Sequence, residues 1–219
     1  MRACIDCLPS FANLRRWGKR LSDKCALCPQ RETMLHVLTC CKPALDQKRL
    51  DFRHNSILLH LAKQLRASGG EKRVTADVPG FDLGGGTVPP EVVVTNSRPD
   101  LVLTDVDAKT IELYELTSCA DKAENIRKAR ERKIHRYSRL VLDMEAAGWK
   151  ASITPIQVCA LGNIDTESRK TFAKLLGKRS SRKTCKKLAR IAIGASYVIF
   201  NRRREPEWHA PGYLEMSVD

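Results

Sequence analysis

Two acidic residues in the middle of the chain have types and a spacing suited to hydrolysis of a phosphodiester bond. Asp100 opens a predicted strand, and Glu115 lies on the next predicted strand, across a hairpin. Because alternate residues of a strand share a face, Glu115 is expected beside Ile111 and Leu113. A short antiparallel hairpin can bring both carboxylates to one divalent cation, which neutralises developing charge and helps to deprotonate water. We expect Mg²⁺ or Mn²⁺ at this pair, although Pro-Asp followed by a glutamate also arises by chance.

A lysine beside the two acids would complete such a site, because an ammonium group can polarise the attacking water. In the usual arrangement the lysine follows the glutamate by two residues, but Thr117 occupies that position here. Lys133, on the following predicted helix, is the candidate, and from the residues alone a solvated helix lysine is the alternative. His54 and His135 also lie on predicted helices, where surface or core packing is the common role, so neither is assigned a catalytic role.

Four residues near the amino end have the types and spacing of a zinc site. Cys25, Cys28, His36 and Cys41 form the pattern C-x2-C-x7-H-x4-C. The first pair lies on a tight turn, and the histidine and the last cysteine lie on one short predicted helix. Zn²⁺ favours three thiolates and one imidazole in closed structural sites. The pattern predicts a small structural zinc knuckle whose folding depends on the metal.

The use of the nine cysteines indicates a reducing, intracellular compartment. The number is odd, and the first residues lack the apolar run of a secretory leader. Cys40 is the alternative to Cys41 as the fourth zinc ligand, and Cys4 and Cys7, another C-x2-C pair, are assigned no role. The longest apolar stretch, residues 188–200, is too short for a bilayer, which requires roughly 20 apolar residues.

The elements that must position these residues alternate between helix and strand. This order, a helix, three strands, a helix and a strand, predicts an α/β fold with helices packed on a mixed sheet. It divides the chain into an amino-terminal knuckle (1–45), a core (46–164) and a basic carboxy-terminal extension (165–219). In chain order the predicted elements are a helix at residues 46–66, a loop at 81–90, strands at 91–95, 101–104 and 110–117, a helix at 122–147, a strand at 153–161 and a helical tail at 165–204.

The charge of the chain indicates a polyanionic partner. The formal net charge is +14 and the sequence pI is about 9.6, which points most simply to nucleic acid. The predicted tail is rich in Lys and Arg, and Lys183, Lys186 and Lys187 are candidate phosphate contacts. A nuclear-import signal and a merely solvated helix face are the alternatives for this tail. The aromatic content of 5% argues against a platform for single strands, which stacks bases on aromatic rings.

Together, these motifs resemble the carboxy-terminal region of site-specific non-LTR retrotransposons that carry a restriction-like endonuclease. In that family a CCHC zinc knuckle precedes a PD-(D/E)xK nuclease with the pattern (R/K)PD-x12–14-(D/E), followed by K-x-x-K-Y on a helix. The resemblance covers residues 14–208 and includes the Leu-rich H-x4-C ending of the knuckle. The residues that match the nuclease patterns are Arg53-His54-Asn55, Arg98-Pro99-Asp100, Glu115 after fourteen intervening residues, and Lys133-x-x-Arg136-Tyr137.

The resemblance implies a restriction-endonuclease-like core that nicks target DNA. The exposed 3′ end would then prime reverse transcription of the element's RNA. Asp100 and Glu115 would hold Mg²⁺, and Lys133 would orient or activate the attacking water. The residues that would support this site or contact phosphate are Arg98, Arg136 and Tyr137.

The resemblance also bears on the zinc ligands and on the partners. It favours Cys41 over Cys40, since the family's knuckle ends in H-x4-C. The implied partners are double-stranded DNA, the element's RNA and a reverse transcriptase, with no membrane and no small-molecule substrate. The expected location is the nucleus. Arg136 departs from the family by replacing the second lysine of K-x-x-K-Y, which keeps the charge but changes the geometry of the group.

Two other functions remain open on the sequence. The chain could be a zinc-knuckle module that binds nucleic acid with an inactive site. It could also be an interaction protein whose knuckle serves assembly alone. Loss of nicking in an Asp100 variant would distinguish the enzyme from the first, and salt-sensitive DNA binding would distinguish the first from the second.

Overall fold

The computed structural model of the chain describes residues 7–81, 88–120 and 123–215. Most of the predicted loop at residues 81–90 lies outside the described residues, as do Cys4 and residue 122, the predicted start of a helix. Within them the chain has an α/β fold with a four-stranded mixed sheet, so the predicted fold class is confirmed at this level.

Ten helices and strands follow one another in the described part of the chain. The amino-terminal part is built of short helices, whereas longer helices and the sheet make up the rest. In chain order they are α1 (Phe11–Arg16), a π-helix (His36–Cys40), α2 (Lys42–Asp46), α3 (Arg49–Ala67), β1 (Arg73–Ala76), β2 (Leu101–Asp105), β3 (Thr110–Thr117), α4 (Ala123–Ala146), β4 (Lys150–Gln157) and α5 (Thr166–Asn201).

The sheet has the order β1-β2-β3-β4. β2 runs antiparallel to its two neighbours, β1 and β3, and β4 runs parallel to β3 because α4 makes the crossover between them. Leu101 pairs with Tyr114 in the β2–β3 ladder. The next position of the same register places Asp100 opposite Glu115, at the edge where β2 begins.

The two faces of the sheet bury different helices. On one face Leu103 of β2 and Leu116 of β3 pack in a core with apolar side chains of α3 and α5. On the other face Ile111 and Leu113 of β3 pack against α4. The sheet is therefore the middle of three layers, and the predicted alternation along β3 matches the burial of its side chains.

The predicted strand at residues 91–95 is wrong. This segment has no ladder partner, and the first strand of the sheet is Arg73–Ala76 instead. A run of valines favours extended backbone, but a strand also needs a free edge to pair with. Both edges of β2 are occupied, one by β1 and the other by β3. Val92 packs in the core under α4, while Val94 is 88% exposed.

The last predicted strand is displaced towards the amino end. β4 spans Lys150–Gln157 rather than residues 153–161, because its parallel pairing with β3 starts at Thr110 and ends at Thr117. Beyond it, a single bridge joins Val158 to Ile164 before α5 begins. Within the described residues, no helix combines the length and apolar character needed to cross a bilayer.

Candidate functional site

The start of β2 and the end of β3 bring the two predicted acidic residues into mutual contact. The backbone N–H of Asp100 donates a hydrogen bond of 2.9 Å to Oε1 of Glu115. In return, the backbone N–H of Leu116 donates a bond of 2.8 Å to Oδ2 of Asp100. Each carboxylate therefore accepts a main-chain donor from the opposite strand, which fixes both side chains on the edge of the sheet.

Lys133 reaches this pair of acids from α4. Its Nζ lies 2.6 Å from Oε2 of Glu115 and 3.2 Å from Oδ2 of Asp100. Lys133 belongs to the buried stripe of the helix, since Tyr137 and Leu140 follow it at helical spacing and pack on the sheet. The helical spacing that packs α4 on the sheet thus also points Lys133 inwards. The alternative, a solvated lysine on the helix surface, is wrong.

Burial and charge shift the two carboxyl groups in opposite directions. Burial, together with the Asp100 charge, raises the pKa of Glu115, whose side chain is fully inaccessible to solvent. Burial also raises the pKa of Asp100, but the charges and hydrogen bonds of His54 and Lys133 outweigh it and hold that pKa at about 2. Opposite charges next to a carboxylate favour its ionised form. Asp100 is therefore the firmly ionised member of the pair.

His54 is the site residue that sequence reasoning missed. It lies on α3, in the layer opposite α4, and its Nε2 is 3.3 Å from Oδ2 of Asp100. Its Nδ1 lies 3.0 Å from Oδ1 of Asn55. Burial lowers the pKa of His54, but Asp100 outweighs burial and raises the pKa to about 9. The available signal was the string Arg53-His54-Asn55, which fits the retrotransposon pattern but carries no information about which way the ring points.

The residues predicted to support the site take different positions. The hydroxyl of Tyr137 donates a hydrogen bond of 3.0 Å to the carbonyl of Arg98, which anchors the segment just before Asp100. The Arg98 guanidinium instead pairs with Asp77. Arg136 is exposed, with its guanidinium carbon 5.5 Å from the centroid of the Tyr137 ring. Tyr137 and the Arg98 backbone therefore contact the site, whereas the two arginine side chains do not contact the acids.

The position where the usual lysine would stand holds a buried hydroxyl. Thr117 lies two residues after Glu115 on the same strand, and its Oγ1 has no hydrogen-bond partner among the described residues. A threonine cannot supply an ammonium group. Lys133 provides the positive charge from the neighbouring helix, as its contacts with both carboxylates indicate.

The four predicted zinc ligands form a second cluster. One ligand atom from each of Cys25, Cys28, His36 and Cys41 lies within 4.8 Å of the other three. The Cys25 and Cys41 sulfurs are 3.9 Å apart, and the Cys28 sulfur is 3.3 Å from Nε2 of His36. Three thiols and one imidazole gathered at this spacing could hold a zinc ion.

The π-helix decides which of the two adjacent cysteines joins the cluster. The backbone N–H of Cys41 donates to the carbonyl of His36 at 2.9 Å, five residues earlier. In a regular α-helix, residues five apart point about 140° away from each other, whereas the wider turn aligns them. Cys40 is exposed, with its sulfur 3.9 Å from Nδ1 of His36, and it lies outside the cluster. The geometry favours Cys41.

The ligands of the cluster are partly buried, and burial shifts the pKa values of three of them. Burial and the neighbouring thiols raise the pKa of Cys41 to about 12. Burial also raises the pKa of Cys25 and lowers the pKa of His36. Zinc binds the thiolate form of cysteine, so binding at this cluster would release protons.

The three predicted phosphate contacts on α5 do not share one face. Lys186 lines a cleft near the middle of the helix, and Lys183 lines a smaller cleft beside Gln64 of α3. Lys187 lies near His60, whose pKa is lowered by burial and by the Lys187 charge. The helix therefore presents its positive charge in more than one direction.

Comparison with known proteins does not assign the chain to a family. No protein-family model matches it, and no curated protein matches it. The resemblance to retrotransposon endonucleases accordingly rests on the motifs quoted above and stays a prediction.

Proposed function

We propose that this chain is a metal-dependent DNA endonuclease of the restriction-like, PD-(D/E)xK type, which nicks target DNA as in non-LTR retrotransposition. The observation that carries the proposal is the meeting of three side chains from three elements. Nζ of Lys133 lies 2.6 Å from Glu115 and 3.2 Å from Asp100. Carboxylates from neighbouring strands beside one ammonium group are the set that phosphodiester hydrolysis requires.

The donor set fits Mg²⁺ or Mn²⁺. Both ions prefer carboxylate oxygens, and Asp100 and Glu115 supply them from adjacent strands. Their oxygens already converge on one positive charge, the ammonium of Lys133, so the two carboxylates together stabilise a cation. A bound divalent ion would supply charge neutralisation at the phosphate and a more acidic water.

The protein side chains would then act on the substrate water and on each other. Lys133 would orient the attacking water by donating a hydrogen bond and by stabilising negative charge on it. His54 holds Asp100 from the opposite layer at 3.3 Å, which keeps that carboxylate ionised and aimed at the site. Tyr137 fixes the backbone of Arg98, so the approach to Asp100 is rigid.

The Cys/His cluster has a structural part in this proposal. A zinc ion held by Cys25, Cys28, His36 and Cys41 would complete the CCHC knuckle and stabilise the short helices around it. The proposed partners are double-stranded DNA, the element's RNA and a reverse transcriptase, and the proposed location is the nucleus. The charge of +14 supports a polyanionic partner, which is the part of this set that rests on composition.

The proposal is tested by nicking of supercoiled plasmid with Mg²⁺ or Mn²⁺. Asp100→Asn removes the charge of the ionised carboxyl and is expected to reduce nicking at least 100-fold, because metal binding loses a ligand. Asp107→Asn is the matched control, since it removes the same charge from the same hairpin at an exposed position. Equal nicking by both variants and the unchanged protein would contradict the assignment of the site.

A second function, a nucleic-acid-binding module with an inactive site, has one observation in its favour. The two carboxylates accept hydrogen bonds from the backbone N–H groups of Asp100 and Leu116 and from the Lys133 ammonium, and His54 Nε2 lies 3.3 Å from Asp100. Such bonds would also stabilise the strand ends if no chemistry took place there. Salt-sensitive DNA binding without nicking by the unchanged protein in either metal would select this function over the first.

A further inference from the structure

A cleft lies against α5, away from the acidic pair. Its volume is about 490 Å³. It forms where the helix bends at Gly177, whose φ of 76° and ψ of 155° interrupt the helical backbone. Only glycine adopts this conformation without strain. Gly162 closes the other side, where an added Cβ would lie 2.9 Å from the Ala189 carbonyl.

The charge of this cleft has one sign. Lys178, Arg182 and Lys186 follow one another at intervals of four residues and line it together with Arg169. No acidic residue lines it, and none of the first three cations forms an ion pair within the described residues. Like charges four residues apart on a helix repel each other. Positive charges gathered in a concave surface create a positive potential, and a bound anion with several charges would relieve the repulsion between them.

The cleft lies at the same end of the sheet as the acidic pair. Arg130 stands one turn before Lys133 on α4, about 4.5 Å along the axis, and pairs with Asp165 at 2.8 Å. Asp165 caps the amino end of α5 by accepting the Ser168 N–H, and Arg169 of the next turn lines the cleft. Lys133 and the cleft are therefore separated by one turn of α4 and one turn of α5, and the Arg130–Asp165 ion pair joins these two turns.

We propose that this cleft binds the sugar–phosphate backbone of the duplex beside the bond that is cut, an inference that rests on the proposed DNA substrate. Arg182 and Lys186 contact phosphates a few nucleotides from the acidic pair. The contact is independent of sequence, since phosphates carry no base information. Lys183, on another face of the helix, takes no part in it.

The test measures how the affinity for a short duplex DNA depends on salt, with the whole chain of residues 1–219 loaded with zinc and with neither Mg²⁺ nor Mn²⁺ present. Each lost phosphate contact reduces the slope of log K against log salt by about 0.9. Arg182→Ala/Lys186→Ala is expected to reduce the slope by about 1.8 and the affinity roughly 30-fold at 0.15 M salt. The matched control, Lys170→Ala/Lys174→Ala, has the same helix, spacing and charge loss, but these lysines pair with Glu167 and Glu112.

The expected result is a reduced slope for the cleft pair and a slope within about 0.5 of the unchanged protein for the control pair. Thermal melting of each variant checks that it is folded. The variant Arg182→Gln/Lys186→Gln removes the same two charges as the alanine variant but keeps longer side chains at both positions. Equal slopes for cleft and control pairs would overturn the inference. So would a loss that appears only in Arg179→Ala/Lys183→Ala, since DNA would then lie on the other face. A duplex RNA of equal length is the second probe, and a slope change confined to it would also overturn the inference.

Nicking assays on the same proteins separate this inference from the proposed function. If Arg182→Ala/Lys186→Ala reduces the slope but the unchanged protein never nicks DNA, DNA binding in the cleft is supported and the proposed endonuclease activity is wrong. If Asp100→Asn abolishes nicking but the cleft and control pairs have equal slopes, the endonuclease stands and the cleft fails.

Discussion

At the scale of single residues, Lys133 determines the electrostatic balance of the candidate site. Two carboxylates that accept hydrogen bonds from each other's strands lie close together, and Glu115 is fully buried. Like charges in such a place disfavour ionisation of one of them. The ammonium of Lys133 contacts both and offsets this repulsion, so the lysine serves the fold as well as the proposed chemistry.

Replacement of Lys133 by methionine is expected to affect stability and nicking together. Removal of one partner from a buried ion pair leaves an uncompensated charge, which costs about 3–5 kcal/mol. We therefore expect the free energy of unfolding in urea to fall by about 3 kcal/mol, and nicking to be lost.

Two further variants separate charge from packing at this position. Lys133→Arg keeps the charge and is expected to recover most of the stability but not the nicking, because the planar guanidinium differs in shape from an ammonium. Lys128→Met on the same helix removes an exposed lysine that pairs with Glu124 and should change stability by less than about 1 kcal/mol. An equal loss in Lys128→Met would contradict the special position of Lys133.

At the scale of elements, the π-helix has the most direct effect on a site. Its five-residue hydrogen bond aligns His36 with Cys41, while Cys40 is exposed and its sulfur lies beside Nδ1 of His36, outside the cluster of four ligand atoms. Short α-helical and 3₁₀ alternatives would rotate these side chains differently. The cluster therefore depends on a local backbone geometry that the sequence pattern C-x2-C-x7-H-x4-C does not itself specify.

Cys28→Ser and Cys40→Ser are a matched pair for the zinc prediction. Cys28 belongs to the cluster and Cys40 does not, so only the first should weaken zinc binding, by at least 10-fold. The measurement is zinc content after dialysis, followed by competition with a chelator. We also expect the chelator to lower the melting temperature of the unchanged protein, since the metal stabilises the folded knuckle. Zinc lost by both variants would assign the fourth ligand to Cys40 in place of Cys41, and zinc retained by Cys28→Ser would contradict the cluster itself.

At the scale of the whole molecule, a buried arginine joins the parts of the chain. Arg53 of α3 donates to the Leu38 carbonyl in the π-helix at 2.9 Å, to Oγ of Ser118 after β3 at 2.8 Å and to Oγ of Ser196 in α5 at 3.1 Å. Its side chain is about 1% exposed, and burial lowers its pKa to about 10. His54, the next residue, contacts Asp100, so the knuckle and the acidic pair are attached to adjacent positions of one helix.

Arg53→Met is expected to destabilise the whole molecule. The substitution keeps an unbranched apolar stem but leaves several buried acceptors without a donor, at about 1–3 kcal/mol each. We expect a loss of about 3 kcal/mol or more in the free energy of unfolding, measured in urea at pH 7. Arg139→Met removes an arginine that is 85% exposed and pairs with Asp143; its effect should stay below about 1 kcal/mol. Similar small effects of both variants would show that Arg53 is dispensable.

Features that depend on neighbours along the chain could be predicted from the order of the amino acids. The four residues of the Cys/His cluster were found from spacing, because the ligands lie within 17 residues of one another. The face of β3 that carries Glu115 followed from the alternation of side chains along a strand. The order of helices and strands followed from the spacing of apolar residues, because that spacing indicates the type of each segment and its buried face.

Features that depend on partners far apart in the chain became visible in the folded molecule. The valine run before Asp100 looked like a strand, but β1 had taken the edge of β2. His54 came from the far layer of the fold, 46 residues before Asp100, and a cleft formed beside Lys178, Arg182 and Lys186 of α5, next to the bend at Gly177. Local sequence reports whether a side chain prefers burial and which backbone it prefers. Which edge is free, and which group lies opposite, depends on how the elements pack against one another, and only the folded chain determines that.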